Sequence, residues 1–106
     1  MTQAMLLAAL ILPGVLLGAS VASEQTPADL QTRSLAATCA ACHGTDGNAA
    51  AASATPRLRG LDKDTLVREM REFRAGSRPA TVMQQIATGF TDEQIDRLAE
   101  YFASPK

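Results

Sequence analysis

Histidine occurs once, tyrosine once, cysteine twice and tryptophan not at all in these 106 residues, and each scarcity removes a kind of chemistry. One His and two Cys fall short of the four ligands that a structural zinc site ordinarily takes. Ten Lys and Arg against eleven Asp and Glu leave a net charge of -1, so there is no basic field for nucleic acid. With 46% hydrophobic residues the chain is too apolar for a disordered acidic tail. No window alternates in the way a strand requires, and there is no internal repeat. The length allows one small domain.

Charge is also missing locally, because residues 1–22 contain no Asp, Glu, Lys or Arg. From Met5 to Leu17 the chain reads MLLAALILPGVLL, and Ser20, Val21 and Ala22 follow as a small-x-small site. That layout predicts a secretory signal peptide over 1–22, cut before Ser23, and a domain over 23–106 that is exported to the periplasm as a soluble protein. The opening MTQA lacks the usual Lys or Arg. A membrane anchor, the other reading, needs about 20 apolar residues. Removing the leader leaves 84 residues (106 less 22) with four aromatics, Phe73, Phe90, Tyr101 and Phe102. So thin a core calls for a further internal filler.

The periodicity after residue 23 is helical. Thr26-Pro27-Ala28-Asp29 opens a helix expected to run to about Ala41, with Thr as cap, Pro at the first position and Asp in the first turn. Gly44, Asp46, Gly47 and Asn48 form a turn, in which Asp46 is read as a turn residue rather than an acid or base, and 49–55 is loop. Leu61 to Arg74 returns to helix, with Leu66, Val67, Met70 and Phe73 on one face. Gly76 to Pro79 ends it, an irregular segment runs on to Phe90, and Thr91 with Gln94 makes a capping box for a last helix that buries Ile95, Leu98, Tyr101 and Phe102. The fold class is all-α.

Cys39-Ala40-Ala41-Cys42-His43 is a C-x-x-C-H run, the spacing of covalent c-type haem attachment. Sulfurs at i and i+3 lie on nearly one side of a helix, so each can form a thioether to the same porphyrin while His43 ligates the iron. A thioredoxin-like redox pair would need a βαβ setting, and a disulfide at this spacing would be strained in a helix and leave His43 unexplained. With no second His, the distal ligand is Met70, Met83, a less usual group or an open position. Met70 falls on an apolar helix face where packing explains it, whereas Met83 falls in irregular chain, which favours Met83. There is no glycine-rich phosphate loop, and no Ser-His-Asp set remains once His43 is on iron. No catalysis is expected from this chain alone.

Residues 35–48 (LAATCAACHGTDGN) and 79–102 (PATVMQQIATGFTDEQIDRLAEYF) resemble a class I cytochrome c, short helices and loops around one covalent haem. With REFRAG at 71–76 and TVMQQIATGF at 81–90, the likeness within that class is to the cytochrome subunit of flavocytochrome c sulfide dehydrogenases. The resemblance implies thioethers at Cys39 and Cys42, His43 as proximal ligand, Met83 as distal ligand, and Pro56 as the residue whose carbonyl holds the His43 ring N–H. It implies a flavoprotein partner that carries FAD, with a soluble cytochrome c or another acceptor downstream. Many subunits of this family have two haem domains in tandem, whereas this sequence has one. The alternative is a freely diffusing cytochrome c moving electrons between respiratory or photosynthetic complexes. Residues 57–78 carry +3 and 79–106 carry -2. That asymmetry could orient a partner, though exposed helix faces ordinarily look so.

Overall fold

The computed structural model describes residues 23–104 together with Gly14 and Gly18. The expected leader, those two glycines apart, lies outside the described residues. Among the described residues there are five helices, in order: α1 (Pro27–Ala37), α2 (Ala40–His43), α3 (Lys63–Ala75), α4 (Met83–Ala87) and α5 (Asp92–Ala103), with a 3-10 turn at Thr45–Gly47. Among the described residues there is no strand.

The helix starts obey the capping chemistry of the sequence. The Thr26 hydroxyl accepts from the Asp29 N–H at 3.2 Å while the Asp29 carboxylate accepts from the Thr26 N–H at 3.1 Å. The Thr26 hydroxyl also lies 2.7 Å from that carboxylate, and its hydrogen bond, followed by the one from the Thr26 N–H, holds the Asp29 carboxyl below its ordinary pKa. Asp62 caps α3 by accepting from the Thr65 N–H at 3.0 Å. Thr91 and Gln94 reciprocate at the head of α5, at 3.2 and 3.0 Å. Each pairing satisfies N–H groups that a helix start leaves open. At the other end of α3, Gly76 adopts the left-handed conformation, φ +76°, and its N–H returns to Glu72 and Phe73.

Three elements differ from expectation. The first helix stops at Ala37 rather than near Ala41, because Thr38 and Cys39 tighten to three-residue hydrogen bonds onto Leu35 and Ala36, each 3.1 Å. The Thr38 hydroxyl adds a bond to the Leu35 carbonyl at 2.7 Å, a local competitor to helix continuation. Met83, expected in irregular chain, is the first residue of α4. Five residues are too few to show a period or to hold a helix alone. It packs on α3, with Ala87 fully buried. Tyr101 is half-buried, and the buried stripe of α5 is Ile95, Leu98, Ala99 and Phe102. The phenol oxygen needs a polar partner, which it finds in Asp46.

The core is correspondingly small: Ala36 of α1, Leu66 of α3, and Leu98, Ala99 and Phe102 of α5, with Leu35, Leu58, Leu61, Val67 and Phe90 around them. Charges tie α3 to α5. Arg74 meets Asp92 at 2.5 Å, Arg71 meets Asp92 and Asp96 at 3.5 Å each, and Lys63 meets Glu100 at 3.9 Å. The positive excess of 57–78 thus faces the negative excess of 79–106 within one molecule. That asymmetry is an internal complement more than a docking field. Each exposed pair adds at most about 1 kcal/mol.

Gly47 sits where this core meets the turn. Its φ is +75°, a Cβ there would lie 2.8 Å from the Phe102 ring, and its carbonyl accepts from the N–H groups of Leu58 and Arg59 at 2.9 and 3.1 Å. Gly60 has a similar φ of +83° with nothing within 4 Å. Gly60→Ala should therefore cost only the backbone strain, roughly 1 kcal/mol. Gly47→Ala should add an overpacking penalty of about 1–3 kcal/mol. Thermal unfolding of the two variants checks the order, and equal losses would mean that Phe102 yields freely.

Candidate functional site

The C-x-x-C-H run spans the break after α1 and the whole of α2. Cys39 is the N-cap of α2, half-buried against the core, and Cys42 is exposed; both thiols are unpaired. Burial pushes the Cys39 thiol above its ordinary pKa, opposed by the Thr38 hydroxyl, 4.0 Å from its sulfur. His43 ends the helix and is only 7% exposed.

Beyond His43 the chain turns back on itself. Gly44 has φ +81°, and a Cβ there would stand 2.7 Å from the Asn48 carbonyl carbon, so only glycine fits. Asp46 takes φ +53° inside the 3-10 turn, a conformation that Asp tolerates better than most residues. The helix-free stretch from Asn48 onward then returns Pro56 to the imidazole. His43 Nδ1 and the Pro56 carbonyl oxygen are 2.6 Å apart. A carbonyl can only accept, so Nδ1 carries a proton and donates, which in the neutral ring leaves the lone pair on Nε2. Among the described residues Nε2 has no hydrogen-bond partner. Arg57 closes the loop by donating to the Asn48 side-chain oxygen at 2.6 Å.

Arg59 is the polar residue that the sequence did not single out. It is 7% exposed and donates to the backbone oxygens of Asp46 at 2.9 Å, Tyr101 at 2.5 Å and Ser104 at 2.9 Å. Its guanidinium lies 4.8 Å from the Tyr101 ring centre and 5.7 Å from that of Phe102. The Tyr101 hydroxyl donates to Asp46 Oδ1 at 2.5 Å. Asp46 is thus a turn residue that also anchors α5 to the turn after His43. The available signal was an arginine set between Leu58 and Gly60-Leu61, in a stretch whose leucines pack on the core.

The two candidate methionines lie on neighbouring helices, Met70 on α3 and Met83 at the start of α4, and both are half-buried. Near Met83 the chain leaves Val82 57% and Ile86 43% exposed. Two free thiols one helical turn apart beside a buried imidazole whose outer nitrogen is open form a donor set suited to a covalently attached metalloporphyrin, while Met70 and Met83 lie on α3 and α4, which pack on each other.

The family model described as cytochrome c oxidase, cbb3-type, subunit III matches residues 27–102. The chain belongs to the cytochrome c family. Its helices and loops form a class I cytochrome c fold, and membership implies covalently bound haem c and electron transfer. The chain is 41% identical over 70 residues to the cytochrome subunit of sulfide dehydrogenase from Chlorobaculum tepidum, covering 66% of this chain and 62% of that protein. It is 41% identical over 61 residues to a thiosulfate dehydrogenase electron acceptor of Stutzerimonas stutzeri, with coverage of 58% and 28%. To cytochrome c4 of Pseudomonas aeruginosa it is 38% identical over 71 residues, with coverage of 67% and 35%. The chain therefore spans under two thirds of these relatives' own lengths. No helix among the described residues is long and apolar enough to cross a membrane.

The donor set makes a direct prediction. Replacing Cys39 and Cys42 together by Ala should abolish covalent haem, read as loss of haem stain after denaturing electrophoresis. Stain that survives in the double variant would place attachment elsewhere.

Proposed function

We propose that this cytochrome is the haem subunit of a flavocytochrome c sulfide dehydrogenase, acting in the periplasm after removal of residues 1–22. It takes electrons one at a time from an FAD-containing subunit and hands them to a soluble cytochrome c or another acceptor. The observation that carries the electron-carrier role is His43, buried, with Nδ1 engaged by Pro56 and Nε2 open. The likeness to the Chlorobaculum subunit supports the choice of partner.

In this reading Cys39 and Cys42 hold the haem by thioethers, His43 Nε2 is the proximal ligand and Met83 the distal one. When bound, the haem supplies a reversible one-electron change at iron. The Pro56 carbonyl fixes the imidazole orientation and raises its basicity. The Met83 thioether, a soft donor, favours the reduced metal. With His43 and Met83 both holding the iron, the chain would leave no place on it for a substrate, so sulfide oxidation would belong to the flavoprotein.

The segments that carry these groups are free of carboxylate, Lys and Arg side chains: 34–45, 47–56 and 79–91. Exposed Val82 and Ile86 lie in the last. Such a surface suits a lasting subunit contact, which is more apolar than a transient one. A second reading, a diffusing carrier that serves another dehydrogenase, is supported by the likeness to the Stutzerimonas acceptor.

Co-purification separates the two: a flavin-containing partner should elute with the cytochrome, and Val82→Asp should weaken that complex while leaving the haem spectrum intact. An unchanged complex with normal electron transfer would move the docking face elsewhere, and no flavoprotein at all would favour the diffusing carrier.

The ligand assignment has its own test. Met83→Ala should remove the long-wavelength absorbance band of sulfur on ferric iron and open the iron to cyanide. Met70→Ala should keep the band. Because Met70 is half-buried, its loss should lower stability by less than the roughly 2–5 kcal/mol of a fully buried truncation. The reverse pattern would make Met70 the ligand.

A further inference from the structure

Resting on the reading of Met83 as distal ligand, we infer that Arg74 is a positioning residue for it, fastening to α3 the far end of the segment that carries Met83. That segment leaves α3 at Gly76 and enters α5 at Asp92. Its helix α4 has five residues and no side-chain cap, too little to define its own place. Position must come from α3.

The near end is held redundantly. The N–H groups of Ser77 and Arg78 both reach the Glu72 carbonyl, at 3.0 and 3.4 Å. The Arg78 guanidinium lies 5.3 Å from the Phe73 ring centre and pairs with Glu69 at 3.3 Å and Glu72 at 3.4 Å. Gly76 leaves room for Gln84, whose amide nitrogen lies 2.9 Å from where a Cβ would be.

The far end packs through Ala87 and Phe90 and joins the capped start of α5, but among the described residues its backbone takes a single side-chain hydrogen bond from α3. Arg74 Nη1 donates to the Phe90 carbonyl at 3.2 Å, and Nη2 to Asp92 at 2.5 Å. Among the described residues the bond to Phe90 is the one hydrogen bond from a side chain of α3 to the backbone of 79–91. Asp92 has a substitute partner in Arg71 at 3.5 Å, whereas the Phe90 carbonyl has no second side-chain donor among the described residues. With Met83 on the iron, a loosened far end would weaken the hold of this segment on its thioether. An external ligand then competes against a weaker internal one, and its apparent affinity rises by the same factor.

The experiment is imidazole titration of the ferric holoprotein, monitored by the sulfur-to-iron band, for wild type, Arg74→Gln, Arg74→Lys, Asp92→Asn and Met83→Ala, with denaturant unfolding of each. Arg74→Gln should bind imidazole about tenfold more tightly, the scale of losing one charge-assisted hydrogen bond. Asp92→Asn, which spares the Phe90 bond, should stay within about twofold of wild type, as suits an exposed pair. Arg74→Lys cannot fork to both partners and should fall between; it carries the test if Arg74→Gln fails to fold. Wild-type imidazole affinity in Arg74→Gln, or in Arg74→Lys where that variant stands in, overturns the inference. So does an equal rise in Asp92→Asn, which would assign the effect to the α3–α5 ion pair. If Met83→Ala keeps the band, the ligand assignment and this inference fall together. If Met83→Ala loses it while the Arg74 variants match wild type, only this inference falls.

Discussion

The bond between the His43 ring and the Pro56 carbonyl is the constraint around which the rest of the chain is arranged. It joins residues 13 positions apart across a stretch with no α-helix, so everything between them must be shaped to close it. Gly44 and Gly47 supply backbone that other residues cannot adopt without striking Asn48 or Phe102. The small residues from Ala49 to Thr55 let the return pass with little bulk, and Arg57 pins it to Asn48. A loop this poor in large apolar groups contributes almost nothing to a core. Its shape is a matter of hydrogen bonds.

Those bonds are anchored in α5. Arg59 draws the end of the return loop, the turn at Asp46 and the last carbonyls of α5 onto one guanidinium, and Tyr101 answers from α5 to the Asp46 carboxylate. Cations near a helix C-terminus interact favourably with its exposed carbonyls. Buried as it is, Arg59 has little water to compete for these contacts, and losing them would leave carbonyls unpaired in the interior. The thin core is therefore supplemented by a polar clasp, and the site's own turn belongs to it.

What could be read from the sequence divides along physical lines. Capping at Thr26 and Thr91 and the stripe of α5 were legible because they rest on contacts three or four residues apart. The C-x-x-C-H run was legible because a porphyrin's attachment geometry dictates its spacing. Arg59, Arg74 and the pairing of Tyr101 with Asp46 were not, since each joins residues 13 to 55 apart and no local pattern marks them. The break at Thr38 and the short helix at Met83 fall between these cases. Both are local, yet both are decided by packing against α3 or the core rather than by propensity.

The placement of charge then bears on what a haem here can do. Ferric haem carries one more positive charge than ferrous haem, so surroundings poor in water and charge favour the reduced form. This chain carries most of its charges on α1, α3 and α5, pairs many of those on α3 and α5 with one another, ties Asp46, Arg57 and Arg59 into hydrogen bonds around the loop, and leaves residues 34–45, 47–56 and 79–91 free of charge. One distribution therefore does two things. Around a haem held by the proposed ligands it would limit charge near the iron, and it leaves uncharged segments through which a redox partner would approach without first stripping water from ions, a desolvation that charged groups resist strongly.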